Sequence, residues 1–316
     1  MKTMKSFSHK IHGSYSIKKQ ETGAGRIQFF LSVLISLTVL GFLCYYRYEL
    51  INTLLHVDIT WIVAGLLFYG LNYILRAIRL YVLSGRCIVV WPHAVYASSL
   101  HGFVTYLMPF QVGDLSLPII LKAANGVGLP EGSAILIRTR LLDMVSLGGL
   151  MLSASIGYDI DLGLSLRLLW FGIGALLVIV PFLLRRLITS HWFQLNRYGQ
   201  YLKPFLLEGR FSIIELFLSL GIWIAIACVL FCVVNAINLP IGFWGGVLLI
   251  TIQLPLQMIP IQGFANTGNH EGAWIAALSL LGIPLIQAVE FAVTSHVIIL
   301  FYVLVLGIIP LLTGSK

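Results

Sequence analysis

Nine residues in this chain could do chemistry and sit where an apolar sequence gives them little ordinary reason to be. Arg76, Arg138 and Arg140 lie in or beside long apolar runs, and Asp143 follows Arg140 by three positions. Gln111 and Asp114 belong to one interruption marked by Pro109 and Gly113. Asn269, His270 and Glu271 belong to another, marked by Pro260, Gly263 and Gly268. Guanidinium groups hold phosphate or carboxylate through forked hydrogen bonds. A carboxylate can hold an amine, a proton or the free N–H groups of a helix start. No P-loop, HExxH, GxSxG or CxxC pattern accompanies these residues, and no nucleophile–base pair is recognisable. The expectation is binding and movement of a charged group, with no catalytic residue, metal or cofactor.

The elements that must position them are set by composition. The chain has 316 residues, 59% apolar or aromatic and only 10% charged, with a mean hydropathy of +0.95. A soluble domain carries about 25% charged residues, so a water-soluble enzyme is excluded. A disordered chain would need low hydrophobicity and high charge. The reading is an all-α polytopic membrane protein. Cys44, Cys87, Cys228 and Cys232 show no metal-ligand spacing and read as small packing residues.

Six apolar runs are long enough to cross a bilayer at roughly 17–25 residues each: 27–46, 61–83, 134–156, 165–184, 212–234 and 284–312. Two more apolar regions, 93–124 and 243–282, are broken by the Pro109 and Pro260 segments. The eight regions predict six full spans and two re-entrant or broken helical hairpins. A basic tail (1–26) precedes a transmembrane domain (27–312) and a short C-terminus (313–316). The first apolar run is long enough to span and follows a long polar stretch, so no cleavable signal is expected.

Charge orients the spans, because Lys and Arg near span ends stay cytoplasmic. Lys2, Lys5, Lys10, Lys18, Lys19 and Arg26 fill the tail, and Arg185, Arg186, Arg197, Lys203 and Arg210 fill one loop. With Arg86 and Lys316 they place thirteen of 20 cations on one side. Arg47 and Arg167 lie opposite, among Glu49, Asp58, Asp159 and Asp161. Both termini are expected in the cytoplasm. Parity then requires region 93–124 to enter and leave from the cytoplasmic face, and region 243–282 to do so from the other. For the second, two full crossings give the same parity. Both breaks carry Pro-x-Gln, at Pro109-Phe110-Gln111 and Pro260-Ile261-Gln262. Interrupted segments in corresponding halves point to an inverted repeat with a transporter-type binding site.

Each cation left in or beside the membrane, Arg76, Arg79, Lys122, Arg138 and Arg140, needs a reason, at about 2.5–3.5 kcal/mol per mid-bilayer charge. Tyr69, Asn72, Arg76 and Arg79 fall at i, i+3, i+7 and i+10, one stripe of a helix. Arg79, close to the cytoplasmic end, is expected to snorkel to water. Arg76 lies deeper and divides between snorkelling and a head-group role. Arg140 and Asp143 can pair locally and join two helices, whereas Arg138 has no local partner and favours function. Asp114 reads as a helix N-cap, as a binding carboxylate, or both. Lys122 belongs at the interface, and Glu215 is expected simply to reach water.

The second break offers a helix N-terminus as an anion site. His270 and Glu271, being adjacent, diverge on a helix. Gln287, Glu290 and Thr294 make a weaker stripe on the last span. His101 and His296 read as packed or hydrogen-bonded. Anionic lipid can meet the basic tail at about 1 kcal/mol per residue, and nucleic acid is not a partner.

Pro109 through Gly113-Asp114, followed by Arg140-Leu141-Leu142-Asp143 opening a span, resembles a bacterial and archaeal membrane family. It is the transmembrane, flippase-like region of lysylphosphatidylglycerol synthases and their stand-alone relatives. Pro260 through Gly268-Asn269-His270-Glu271-Gly272, with Leu281-Gly282-Ile283-Pro284 downstream, is similar to its second signature. The likeness runs from about residue 27 onward. It implies a translocase moving a lipid head group between leaflets. No aminoacyltransferase domain follows here, so synthase activity is not expected. The pattern departs at Leu117, where a basic residue is usual, and at Thr139, where an acid is frequent, so lysyl-phosphatidylglycerol is not carried over as the substrate.

The leading expectation is translocation of a phospholipid or lipid-linked glycan in the bacterial cytoplasmic (inner) membrane. Arg76, Arg138 and Arg140 would neutralise phosphate, while Asp114 and Glu271 would form gates or bind protons or amines. The expected partners are a membrane lipid with an anionic head group, an envelope or glycolipid biosynthesis enzyme, and a second copy in a homodimer. The rival class is a non-transporting accessory subunit of lipid or envelope-glycan assembly.

Overall fold

A computed structural model describes residues 23–45, 47–84, 89–157, 163–188, 212–257 and 263–313. Several sequence expectations fall outside those residues: the tail before residue 23, Arg86, Cys87, Asp159, Asp161, Arg197, Lys203, Arg210, Pro260, Gln262 and Lys316. The side chains of Arg26, Gln111 and Arg185 lie outside as well. Among the described residues every regular element is helical. In chain order they are α1 (Gly23–Tyr45), α2 (Arg47–Leu55), α3 (Ile59–Leu83), α4 (Trp91–Leu107), α5 (Ser116–Asn125), α6 (Leu129–Gly157), α7 (Gly163–Ile188), α8 (Ile213–Ala236), α9 (Phe243–Gln257), α10 (Asn269–Leu280) and α11 (Leu285–Thr313). Two 3₁₀ segments interrupt them: a first break at Pro109–Leu115 and a second at Phe264–Asn266.

Local chemistry explains the ends. Asp58 caps α3 by accepting the Thr60 N–H at 2.8 Å. Ser212 and Glu215 cap α8 reciprocally, accepting the N–H groups of Ile214 and Ser212 at 3.3 Å each. Helix α5 ends on Gly126, whose φ of +68° suits the left-handed position. Helices α3, α8 and α11, with Arg167–Leu184 of α7, are long and apolar enough to cross a membrane. Helix α6 has the length but carries Arg138, Arg140 and Asp143 in its first half.

The two broken regions are hairpins with short arms. Helices α4 and α5 pack together, as do α9 and α10. At about 1.5 Å per residue, α5 is about 15 Å long and α10 about 18 Å, well short of a hydrocarbon core of about 30 Å.

Exchanging α3–α6 with α8–α11 maps the main helix–helix contacts onto one another. The pairs α3/α4, α4/α5 and α5/α6 become α8/α9, α9/α10 and α10/α11. Across the halves, α4/α11 becomes α9/α6 and α6/α8 becomes α11/α3, while α3/α8 and the contact between the two breaks map onto themselves. Helices α3 and α8 are antiparallel: the Asp58 N–H donates to Ala236 O at 3.1 Å, and Arg79 reaches Ser219 at 2.9 Å. The repeat is therefore inverted. Helix α6 runs alongside α8 in the same direction, since Arg138 meets Glu215 and Asp143 meets Trp223. Helix α11 opposes α4, with Phe103 against Gly307 and Tyr106 against His296. The hairpins thus open at opposite ends of the bundle, and their breaks touch.

The core joins Trp223 and Val233 of α8, Leu249 of α9, Trp274 and Leu278 of α10, and Phe291 and Tyr302 of α11. In lipid the gain from this packing comes from close contact and satisfied polar groups rather than from leaving water. Tyr302 donates its hydroxyl to Ile62 O at 2.7 Å, tying the last helix to α3. Cys232 is buried in this packing, and Cys44 is exposed.

Candidate functional site

The site is a polar layer in three parts: the first break, an ion network among α3, α6 and α8, and the second break. Gly113 is what lets the first break close onto α4, because a Cβ there would overlap the Thr105 backbone. This approach places Asp114 against Arg140 of α6. Arg140 also lies 3.6 Å from Asp143, the local pair expected from their spacing. Asp114 does not cap α5, whose start has no side-chain cap. The capping expectation is corrected, because Arg140 draws the carboxylate away from the helix start. Lys122 is exposed in the last turn of α5.

The α3 stripe faces the bundle. Asn72 and Arg79 are buried, and Tyr69 and Arg76 half-buried. Arg79 does not snorkel: it holds Asp143 at 2.5 Å and donates to Ser219 Oγ at 2.9 Å. Trp223 Nε1 donates to the same Asp143 oxygen at 3.3 Å. The reason is packing, since α6 and α8 present a carboxylate and a hydroxyl where the interface would otherwise have to serve. Arg138, expected to be available for a ligand, donates to both oxygens of Glu215 at 2.8 and 3.0 Å. Glu215 is correspondingly buried rather than reaching water. Breaking one side of such a pair costs about 3–5 kcal/mol, because the other charge is left uncompensated.

Arg76 differs. Its Nε donates to Asn72 Oδ1 at 3.0 Å. Among the described residues no carboxylate lies within ion-pair distance of it, and its Nη groups make no hydrogen bond. It stands within electrostatic reach of Asp143, Arg79, Tyr69 and Tyr73. A half-buried guanidinium with donors to spare has the chemistry to bind a phosphate or carboxylate.

The second break is held from two sides. On one, Ser36 of α1 accepts the Phe264 N–H at 3.1 Å and meets Thr267 Oγ1 at 3.0 Å. Gly263 packs so closely here that a Cβ would overlap Ser36 and Thr267. On the other, His296 of α11 donates through Nε2 to Ala265 O at 2.8 Å and meets the Glu271 carboxylate through Nδ1. Ala265 and Asn266 have φ values of +52° and +62°, a conformation costing roughly 1–2 kcal/mol per residue for side chains of the L series. Gly268, at +81°, starts α10 without that cost. At the N-terminus of α10 Glu271 Oε2 accepts the Gly268 N–H at 2.7 Å, so a carboxylate already lies at this helix start. Asn269 is the first residue of α10. His270 faces Ser295 at 3.2 Å, and its ring lies 4.5 Å from that of His296.

Of the nine candidate residues, the structure brings Asp114, Arg140 and Asp143 together, with Arg76 in electrostatic reach of Asp143. It sets His270 and Glu271 together at the second break. Arg138 is turned to Glu215, Asn269 opens α10, and the Gln111 side chain lies outside the described residues. Sequence reasoning missed Ser36, Ser219 and the working position of His296. A signal for His296 existed: it lies eleven residues after Leu285, the start of α11, as Arg140 lies eleven after Leu129, the start of α6. His101, bonded to Ser116 at 3.0 Å, fits its expected packing role. Of the weaker stripe, Gln287 is exposed, Glu290 half-buried and Thr294 buried.

The family model described as "Lysylphosphatidylglycerol synthase TM region" matches residues 29–307, and the chain belongs to that family. No curated protein and no solved structure matches it.

Proposed function

We propose that this member of the lysylphosphatidylglycerol synthase TM-region family is a lipid translocase, moving the head group of a phospholipid or lipid-linked glycan between leaflets without chemical change. Its setting would be the bacterial cytoplasmic membrane, with both termini in the cytoplasm. The observation that carries this reading is Arg76. It keeps free donors in a bundle where Arg79, Arg138 and Arg140 are each matched to a carboxylate. It lies in the layer where two broken hairpins from opposite ends meet, the arrangement that alternating access needs. A phosphate would bind at Arg76, with the accessible side of Arg140 as a second contact. Arg138, forked onto Glu215, supports the bundle instead.

The direct test is exchange of a lipid between leaflets of vesicles containing the full chain. A short-chain fluorescent phosphatidylglycerol and a fluorescent polyprenyl phosphate are suitable probes. Acceleration over empty vesicles, reduced by Arg76→Gln, is the expected result, and no acceleration with either probe refutes the reading. An accessory subunit would instead leave leaflet composition unchanged by Arg76→Gln in cells, while deletion of the whole chain altered glycan assembly.

A further inference from the structure

The second hairpin carries a titratable latch, and its chemistry follows from which atoms face one another. A backbone carbonyl only accepts, so the contact with Ala265 O requires a hydrogen on His296 Nε2. The opposite ring nitrogen faces Glu271 Oε1. A hydrogen bond there needs one proton between the two atoms. Imidazolium against carboxylate supplies it, and so does neutral imidazole against carboxylic acid. Either way the pair holds one exchangeable proton and has zero net charge. With that proton gone, the Nδ1 lone pair would face a carboxylate oxygen in a buried site, where repulsion is poorly screened.

The surroundings reinforce this. From α10, His270 stacks beside His296 at 4.5 Å with a 32° tilt, and a second imidazolium there would repel the first. The hydroxyl hydrogen of Ser295 goes to Ala292 O at 3.0 Å, so Ser295 Oγ accepts from His270 Nε2–H. His270 Nε2 is thereby a donor. From α4 the Tyr106 ring stands edge-on to His296 at 6.1 Å. Tyr69 of α3 lies within electrostatic reach of both Tyr106 and Arg76. From the break and from α1 come the Ala265 carbonyl and the Ser36 hydroxyl, neither of which titrates.

The inverted repeat supplies the contrast. Asp114 and Arg140 are the counterparts of Glu271 and His296: a carboxylate at the break meets a base eleven residues into the next long helix. Arginine keeps its proton under all protein conditions. Only the second pair can be opened by losing one.

We propose that Glu271 and His296 form a proton-binding latch that holds the second hairpin closed while loaded, and that releasing the proton to water frees the Ala265–Asn266 turn. This rests on the translocase reading, to which it adds protons as the coupling ion. On release, His296 lets go of Ala265 O, Glu271 leaves the Gly268 N–H, and the left-handed turn relaxes. The first hairpin, with its permanent pair, stays indifferent to pH.

Hydrogen exchange of the full chain in lipid nanodiscs reads the latch without any knowledge of the lipid carried. The amides to follow are those of Gly263, Thr267 and Gly268, which donate to Thr267 O, Phe264 O and Glu271. Protection, corrected for the intrinsic effect of pH on exchange, should fall several-fold as the pH is raised. Amides of α5 and α6 around Asp114 and Arg140 should not follow. Glu271→Gln, whose amide can donate permanently to Nδ1, should keep protection high throughout, and His296→Ala should keep it low. Protection in the unaltered chain that is flat with pH overturns the latch, whatever the variants do. A pH response unchanged by Glu271→Gln overturns it equally. Failure of lipid exchange in vesicles with the pH response intact would sink the translocase reading alone.

Discussion

In the first hairpin the carboxylate beside the break meets an arginine; in the second it meets a histidine. The first pair is open to the surroundings, with side chains 43% and 30% exposed, and the second is closed, at 9% and 10%. The backbones differ in the same sense. The first break is a run of 3₁₀ helix fitted against α4 by Gly113, whereas the second holds two left-handed residues that something must keep in place. One plan has thus been completed as a permanent contact and as a conditional one. An inverted repeat makes the two ends of the bundle alike in shape, and under the proposed latch the exchange of one base for another makes them unlike in control.

Four experiments would break or sharpen that contrast. The largest effect is expected from Asp143→Ala, which strands Arg79 between the halves. It should lower stability by about 3–5 kcal/mol and loosen both hairpins together, seen as a lower unfolding temperature in detergent. An effect confined to the first hairpin would show that the ion network serves only its own half.

Exchanging the bases comes next. His296→Arg should convert the second latch to the permanent kind, so that lipid exchange loses its dependence on pH and slows by about tenfold, equivalent to about 1.4 kcal/mol. Asp114→Asn should slow exchange while leaving its pH dependence in place. If both variants alter the pH profile alike, the two hairpins are not chemically distinct.

Glycine replacements test the backbone side of the comparison. Gly113→Ala should cost about 1–3 kcal/mol by forcing the first break off α4, and Gly268→Ala about 1–2 kcal/mol by placing a Cβ at positive φ. Thermal unfolding measures both, and a neutral Gly113→Ala would mean that the break does not depend on close approach.

The smallest structural effect belongs to Arg76→Gln, since only the bond to Asn72 is altered, at about 0.5–1.5 kcal/mol. Its effect on lipid exchange should be disproportionate. A loss of exchange no greater than that of Lys122→Gln, an exposed control at the end of α5, would remove Arg76 from the site.

Much of this was legible in the chain. Proline and glycine at 109, 113, 263 and 268 marked the breaks because they change what the backbone can do locally. The parity of the charged loops put the hairpins at opposite ends, and the structure agrees. The stripe from Tyr69 to Arg79 correctly named one face of α3. What it could not name was the helix opposite that face. Arg79 was expected in water, and Arg138 was expected to be available; each is matched to a residue 64 and 77 positions away. Periodicity tells which side chains share a face, and nothing local tells which other face will meet it.

By itself, then, the sequence determined the class, the breaks and the inversion of the repeat, because hydropathy, backbone restriction and charge counting act over a few residues at a time. Only tertiary structure decided which of the intramembrane charges are already neutralised and that His296, unremarkable on its own helix, meets Glu271 and the Ala265 carbonyl of the second break. Pairing energies of buried groups depend on distances between segments far apart in the chain, and those distances exist only once the helices have packed.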